Sequence, residues 1–207
     1  MFGRAGAIID EHLGKGTDKF EMQFACFRNY SSGPSKLLEV SPWKSNPDDL
    51  RAFLRSTSAS GGQGNEAIEI GFWHANQQAD VKRIILIGDA HPNTEEDVIK
   101  KRGGFGEARY RKTQFAQPTF CQAEINMLKD KGIPVDCFYV NYRCQSSFEG
   151  ISKATGGTAF ALSVTKVEGR ELLIGHITTS ILKHVGGDGK GDELVGAYIK
   201  KFGKMHS

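Results

Sequence analysis

Arg83-Ile84-Ile85-Leu86-Ile87-Gly88-Asp89-Ala90-His91-Pro92 is the stretch on which the fold turns. Four apolar residues follow one another with no polar alternate, the pattern of a short strand buried on both faces and hence of a parallel sheet covered by helices. Gly88-Asp89 ends the run and sets a carboxylate at the carboxyl edge of the sheet, where open α/β folds bind ligands. Asp89 is therefore a candidate functional side chain. It can equally cap the following turn, with Asn93-Thr94-Glu95-Glu96 opening a helix.

Outward from this strand the chain alternates strand-like and helical segments, the sign of an α/β architecture. Val135 to Val140 reads as a second buried strand. Phe20 to Phe27 reads as a partly alternating one, and Leu37–Val40 and Thr158–Leu162 as shorter ones. Helical stripes of period 3.6 run through Ile68, Gly71, Phe72 and Ala75; through Cys121, Ile125 and Leu128; through Leu173, Ile177 and Ile181; and through Leu194, Tyr198 and Phe202. Asn46-Pro47-Asp48-Asp49 has the proline and first-turn acids of a helix start. Glycine-rich joints stand at Gly103-Gly104 and at Gly186-Gly187-Asp188-Gly189. Residues 91–117 show no clear period and read as a long loop, a kind of segment that compact domains keep for function.

The 207 residues are the length of one domain, with a short tail from 186 to 207 that reads as a linker and an amphipathic helix. Lys and Arg number 27 against 24 Asp and Glu, a net charge of +3, too mild to imply a nucleic-acid or membrane partner. No apolar run reaches the roughly 20 residues of a membrane span, and no signal peptide is visible. Cys26, Cys121, Cys137 and Cys144 have no CxxC or zinc-like spacing and read as free thiols. A soluble cytoplasmic protein is the expectation.

The second candidate region is Ser56 to Ala67, small hydroxyl residues and glycines ahead of a helix, where Ser58, Ser60 and Gln63 offer oxygen donors. Gly62-x-Gly64-x-x-Ala67 fits the loose dinucleotide fingerprint, but it follows a helix rather than a strand. The chain carries no G-x-S-x-G and no Walker A lysine, so catalysis is not expected.

Taken together, Gly61-Gly62-Gln63-Gly64-Asn65-Glu66-Ala67, Ile84 to Pro92, Lys131-Gly132-Ile133-Pro134-Val135, Ile151 to Gly157, and Phe27-Arg28-Asn29-Tyr30 resemble, in order, a von Willebrand factor type A (vWA) domain, closest to the intracellular branch found beside alpha-type kinases. The resemblance covers residues 1–185. It implies a three-layer, Rossmann-like α/β fold with a mostly parallel sheet, and a divalent-cation site built by three loops at the carboxyl edge. Asp89 matches the third loop. Gln63 stands where relatives often carry Asp, with Ser58 and Ser60 nearby. The family's first loop, D-x-S-x-S, has no counterpart, so at most a weak magnesium site is expected and no tightly bound cofactor.

The resemblance further implies that the first, central strand is missing and that the chain is N-terminally incomplete. Its loss would leave two strands with unpaired edges, or force them to pair directly. The function implied is binding of a protein partner, through an acidic side chain of that partner if the cation site operates. The contact surface expected on residues 91–117 includes His91, Arg102, Phe105, Arg109 and Tyr110. Two alternatives stand beside it. One is single-stranded nucleic-acid binding through the basic, glycine- and aromatic-rich segment 100–112; the other is a regulatory fragment of an alpha-type kinase.

Overall fold

The computed structural model describes residues 1–14, 20–58 and 64–203. The elements are α1 (Phe2–Leu13), β1 (Ala25–Phe27), β2 (Leu38–Val40), α2 (Pro47–Ser56), α3 (Ile68–Gln77), β3 (Ile84–Gly88), α4 (Glu95–Gly104), α5 (Glu107–Tyr110), α6 (Cys121–Asp130), β4 (Val135–Tyr139), α7 (Gln145–Thr155), β5 (Ala159–Ala161) and α8 (Val167–Phe202). This is a mixed α/β protein with a parallel sheet flanked by helices. No described helix is long and apolar enough to cross a membrane.

The chain forms two compact units. One contains residues 1–24, 41–55 and 162–207, the other residues 25–40 and 56–161. In the first, α1 lies against α8. The Arg4 guanidinium donates to both carboxylate oxygens of Glu171 at 2.7 and 3.2 Å and sits over the Phe202 ring, while Lys201 pairs with Glu11. The joint expected at 186–189 lies inside α8, where Gly187, Asp188 and Gly189 leave helical geometry. Gly187 and Gly189 take positive φ, and a side chain at Gly186 would meet the backbone of Gly191 at 2.5 Å, so the turn is open only to glycine. The segment beyond it is a helix that packs with α1 in the same unit.

The second unit carries both sheets. β3, β4 and β5 are parallel and neighbours in that order, with Ile84 beside Val135 and Cys137 beside Ala159. One face of this sheet presents Leu86, Val135, Cys137 and Tyr139 to Ile68 and Phe72 of α3, Ile125 and Leu128 of α6, and Phe148 and Ile151 of α7. β1 and β2 form a separate antiparallel pair with Cys26 opposite Glu39. Among the described residues no ladder joins the two sheets.

Two expectations need correction. The strand expected over Phe20–Phe27 is regular only at Ala25–Phe27. Its continuation is reduced to a single bridge between Met22 and Lys44, because the facing segment contains Pro42, which has no N–H to give to a ladder. Residues 91–117 are not a structureless loop but carry α4 and α5. Thr94 caps α4 by accepting from the Asp97 N–H, while the Asp97 carboxylate accepts from the Thr94 N–H. The hidden face of α4 consists of Val98 and Arg102, so half of its inward stripe is charged and the helical period is masked in the sequence.

Candidate functional site

The site grows from the end of β3. Gly88 passes close to α7 there: a Cβ would lie 3.1 Å from the Phe148 ring, which would have to give way. Asp89 follows at the carboxyl edge and is exposed. Its loop is zipped to the segment entering α3. The Glu66 N–H donates to the His91 carbonyl at 2.8 Å, and the Asn93 N–H donates to the Glu66 carbonyl at 2.9 Å, a short parallel bridge that brings the two candidate loops together. The Glu66 carboxyl is half-buried, and burial first and the charge of Asp89 second push its pKa up. His91 shares a 2.7 Å hydrogen bond with the Ser147 hydroxyl in the first turn of α7.

Beneath this edge lies a polar network. Glu69 of α3 is fully buried; its Oε1 accepts from the Tyr30 hydroxyl at 3.0 Å and from Asn93 Nδ2 at 3.1 Å, and its Oε2 has no hydrogen-bond partner among the described residues. Burial pushes the Glu69 carboxyl up to about 7 despite those donors. Lys101 Nζ donates to the Asn93 side chain at 2.7 Å and to the Asn65 carbonyl at 2.6 Å, and burial lowers its pKa. Asn29 Nδ2 donates to the same carbonyl, and Asn65 Nδ2 donates to Asp97. Three separate segments, 29–30, 65–69 and 93–101, are thereby pinned under the carboxyl edge. Burying such groups is costly unless they are bonded, so the network fixes one arrangement of the loops above it.

The sequence candidates fall in different places. Asp89 stands at the edge as expected. Ser58 is exposed, and its carbonyl accepts two guanidinium bonds from Arg28 at 2.7 and 3.2 Å. Ser60 and Gln63 lie outside the described residues. His91 is part-exposed beside Ser147, and Phe105 packs against the cluster of Tyr30, Val98 and Tyr110. Arg109 is exposed, with its guanidinium passing close to Gly33.

Arg102 and Tyr110, expected on a contact surface, are instead inside. Arg102 is 1% exposed, makes two 2.8 Å bonds to the Glu107 carboxylate, donates to the carbonyls of Phe115 and Ala116, and lies over the Tyr110 ring. The Tyr110 hydroxyl donates to the Tyr30 carbonyl at 2.7 Å. Those two side chains build the fold of the segment rather than meet a partner. Glu66, Glu69, Asn93 and Lys101 were not visible as a set. The one signal in the sequence was Glu66 lying within the loop string that also holds Gln63.

What the arrangement can do chemically is bounded by its donors. Magnesium needs near-octahedral oxygen ligation, usually with one or two carboxylates and several waters. Of the described donors, Asp89 is one carboxylate, Glu66 is a half-buried carboxyl whose pKa burial and Asp89 raise, and Ser58 has its carbonyl turned to a guanidinium. That set does not fit a closed magnesium cage. No three His, Cys, Asp or Glu side chains converge among the described residues. Ser147 with His91 has the residue types of a nucleophile–base pair, but among the described residues no carboxylate bonds the imidazole to orient it. Burial pushes the Cys121 and Cys137 thiols up to about 12, so neither is a thiolate at neutral pH.

Compared with protein-family models and with the curated proteins, the chain matches none. What the fold and site define is an α/β protein with a rigidly supported, acidic carboxyl edge.

Proposed function

We propose that this chain is a vWA-like protein-interaction domain that binds its partner at the carboxyl edge of the parallel sheet, with a degraded cation site. The observation that carries the reading is the edge itself: exposed Asp89 beside Glu66, on two loops bridged to each other and held from below by the Asn65–Asn93–Lys101 network. The division of the strands adds support. Among the described residues a parallel β3–β4–β5 sheet stands beside an antiparallel β1–β2 pair, a mixed arrangement compatible with a vWA-type sheet. The exposed apolar side chains Val140 and Tyr142 follow β4 at the same edge and extend the contact surface. Binding is then a matter of shape and fixed charge, with little help from a metal.

Two measurements test this. A photo-crosslinking residue placed at Asp89 captures a different protein from cell extract, whereas the same residue at Asp130, exposed at the end of the helix that leads into the amino end of β4, captures none; capture from both or from Asp130 alone contradicts the reading. Manganese titration gives no low-micromolar binding. Tight binding abolished by Asp89→Ala would restore a working cation site.

A further inference from the structure

We propose that Glu69 is a proton-operated latch for the carboxyl edge: while its carboxyl is neutral the two edge loops stay bridged, and when it ionises Asn93 is released and the bridge through Glu66, His91 and Asn93 opens. The inference does not depend on the partner reading above.

The hydrogen bonds supply the latch. Both donors to the Glu69 carboxyl, the Tyr30 hydroxyl and Asn93 Nδ2, go to the same oxygen, Oε1. Oε2 is buried with no hydrogen-bond partner among the described residues. A buried carboxylate is tolerated only when its oxygens are bonded or a cation touches it, and this one is half bonded. The neighbouring cation, Lys101, donates instead to Asn93 Oδ1 at 2.7 Å and to the Asn65 carbonyl at 2.6 Å. Asn93 thus stands between carboxyl and ammonium, bonded to each. Charging Glu69 works on Asn93 twice: the carboxylate attracts the ammonium that Asn93 holds off, and bare Oε2 requires a donor or water. Moving Asn93 relieves both.

What moves with Asn93 is the bridge itself. Its N–H donates to the Glu66 carbonyl at 2.9 Å, and the Glu66 N–H donates to the His91 carbonyl at 2.8 Å. The helix that carries Glu69 is anchored by Ile68 and Phe72 in the apolar core, so the loop gives way before the helix does. Burial outweighs the donors and raises the Glu69 pKa to about 7, so the bridge is closed on the acid side of neutrality and released on the alkaline side. The other groups facing Glu69 keep their charge state across this range. Burial holds the Tyr30 and Tyr110 hydroxyls protonated and pushes the Cys121 thiol up to about 12. Arg102 is committed to Glu107 and two carbonyls, and Asp97 is held ionised by the Thr94 N–H and Asn65. Two further titratable groups lie in the bridge: Glu66, raised by burial and then by Asp89, and His91, bonded to Ser147.

Heteronuclear NMR of the full chain, titrated from acid to alkaline pH, tests the latch. The amide protons of Glu66 and Asn93, freed from their carbonyls, should move upfield together as the pH passes about 7, while the amides of β4 keep their dispersed resonances. Glu69→Gln still accepts from Tyr30 and Asn93 but cannot ionise; it should hold both amides at their acid-side positions throughout. Tyr30→Phe keeps the ring and removes one donor that favours the ionised form, so it should move the midpoint to higher pH. Amides that stay in place in the wild type overturn the proposal. So does a transition that survives in Glu69→Gln, which would belong to Glu66 or His91, or a midpoint that Tyr30→Phe leaves unchanged. Collapse of the β4 resonances in the same step would make the proton a matter of the whole fold and would also overturn it.

Discussion

β3 and β4 are neighbouring strands of equal length, in register and both dominated by apolar residues, yet they live in different environments. Every residue of β4 is buried, including Asp136, whereas β3 buries Leu86 alone and leaves Ile87 exposed. An apolar run therefore reports that a strand can sit inside a sheet, not that it does. What separates the two is the number of neighbours among the described residues: β4 has β3 and β5, and β3 has only β4. The marginal strand is also the one that leads into Asp89.

The comparison can be broken from the β4 side first. Phe138 is fully buried and stacked on Phe160, so Phe138→Ala is expected to cost about 3–5 kcal/mol in urea unfolding. Ile87→Ala should cost well under that, on the order of 1 kcal/mol or less, because nearly half of the side chain is already in water. Equal losses would mean that β3 is as interior as β4.

The second test lies beneath the edge. The folded pKa of Glu69, about 7, stands above its ordinary 4.5, so the folded chain holds that proton more tightly than the unfolded chain does. The sign is then fixed: Glu69 favours folding most below about pH 4.5, and that contribution is lost as pH rises toward 7, on the order of 3 kcal/mol in all. Glu69→Gln should flatten the stability difference over this window, seen by comparing denaturation midpoints of wild type and variant from pH 4.5 to 8. A difference that does not vary with pH would show that the carboxyl ionises as freely in the fold as outside it. The smallest expected effect is at the α4 cap, where Thr94→Ala should cost about 1 kcal/mol and loosen the loop that carries His91.

The same contrast explains how far the sequence could be read. Ile84–Ile87 and Val135–Tyr139 announced themselves because buried parallel strands are written in consecutive apolar residues, and Asp89 was legible because it terminates one. The helical stripes through Ile68, Cys121, Leu173 and Leu194 were legible for the same kind of reason, a repeating apolar spacing. Arg102 was not, since what buries it is Glu107 and two carbonyls supplied by the turn after α5, and a basic residue in a glycine-rich segment reads as surface. Glu69 was hidden in an apolar helix, and its partners Tyr30 and Asn93 come from segments 39 residues upstream and 24 downstream of it. Contacts between distant segments leave no local pattern. The marginal position of β3 was not legible, since no residue within the strand marks it.

The central claim, that β3 is an interior-type strand with no partner on its outer side among the described residues, is tested most directly by residue-resolved hydrogen exchange. The account predicts that the amides at positions 85 and 87 exchange rapidly, while those of Leu86 and of Asp136 to Phe138 are protected. Uniform protection along β3 would show that its outer side is already paired within the chain and would contradict the account.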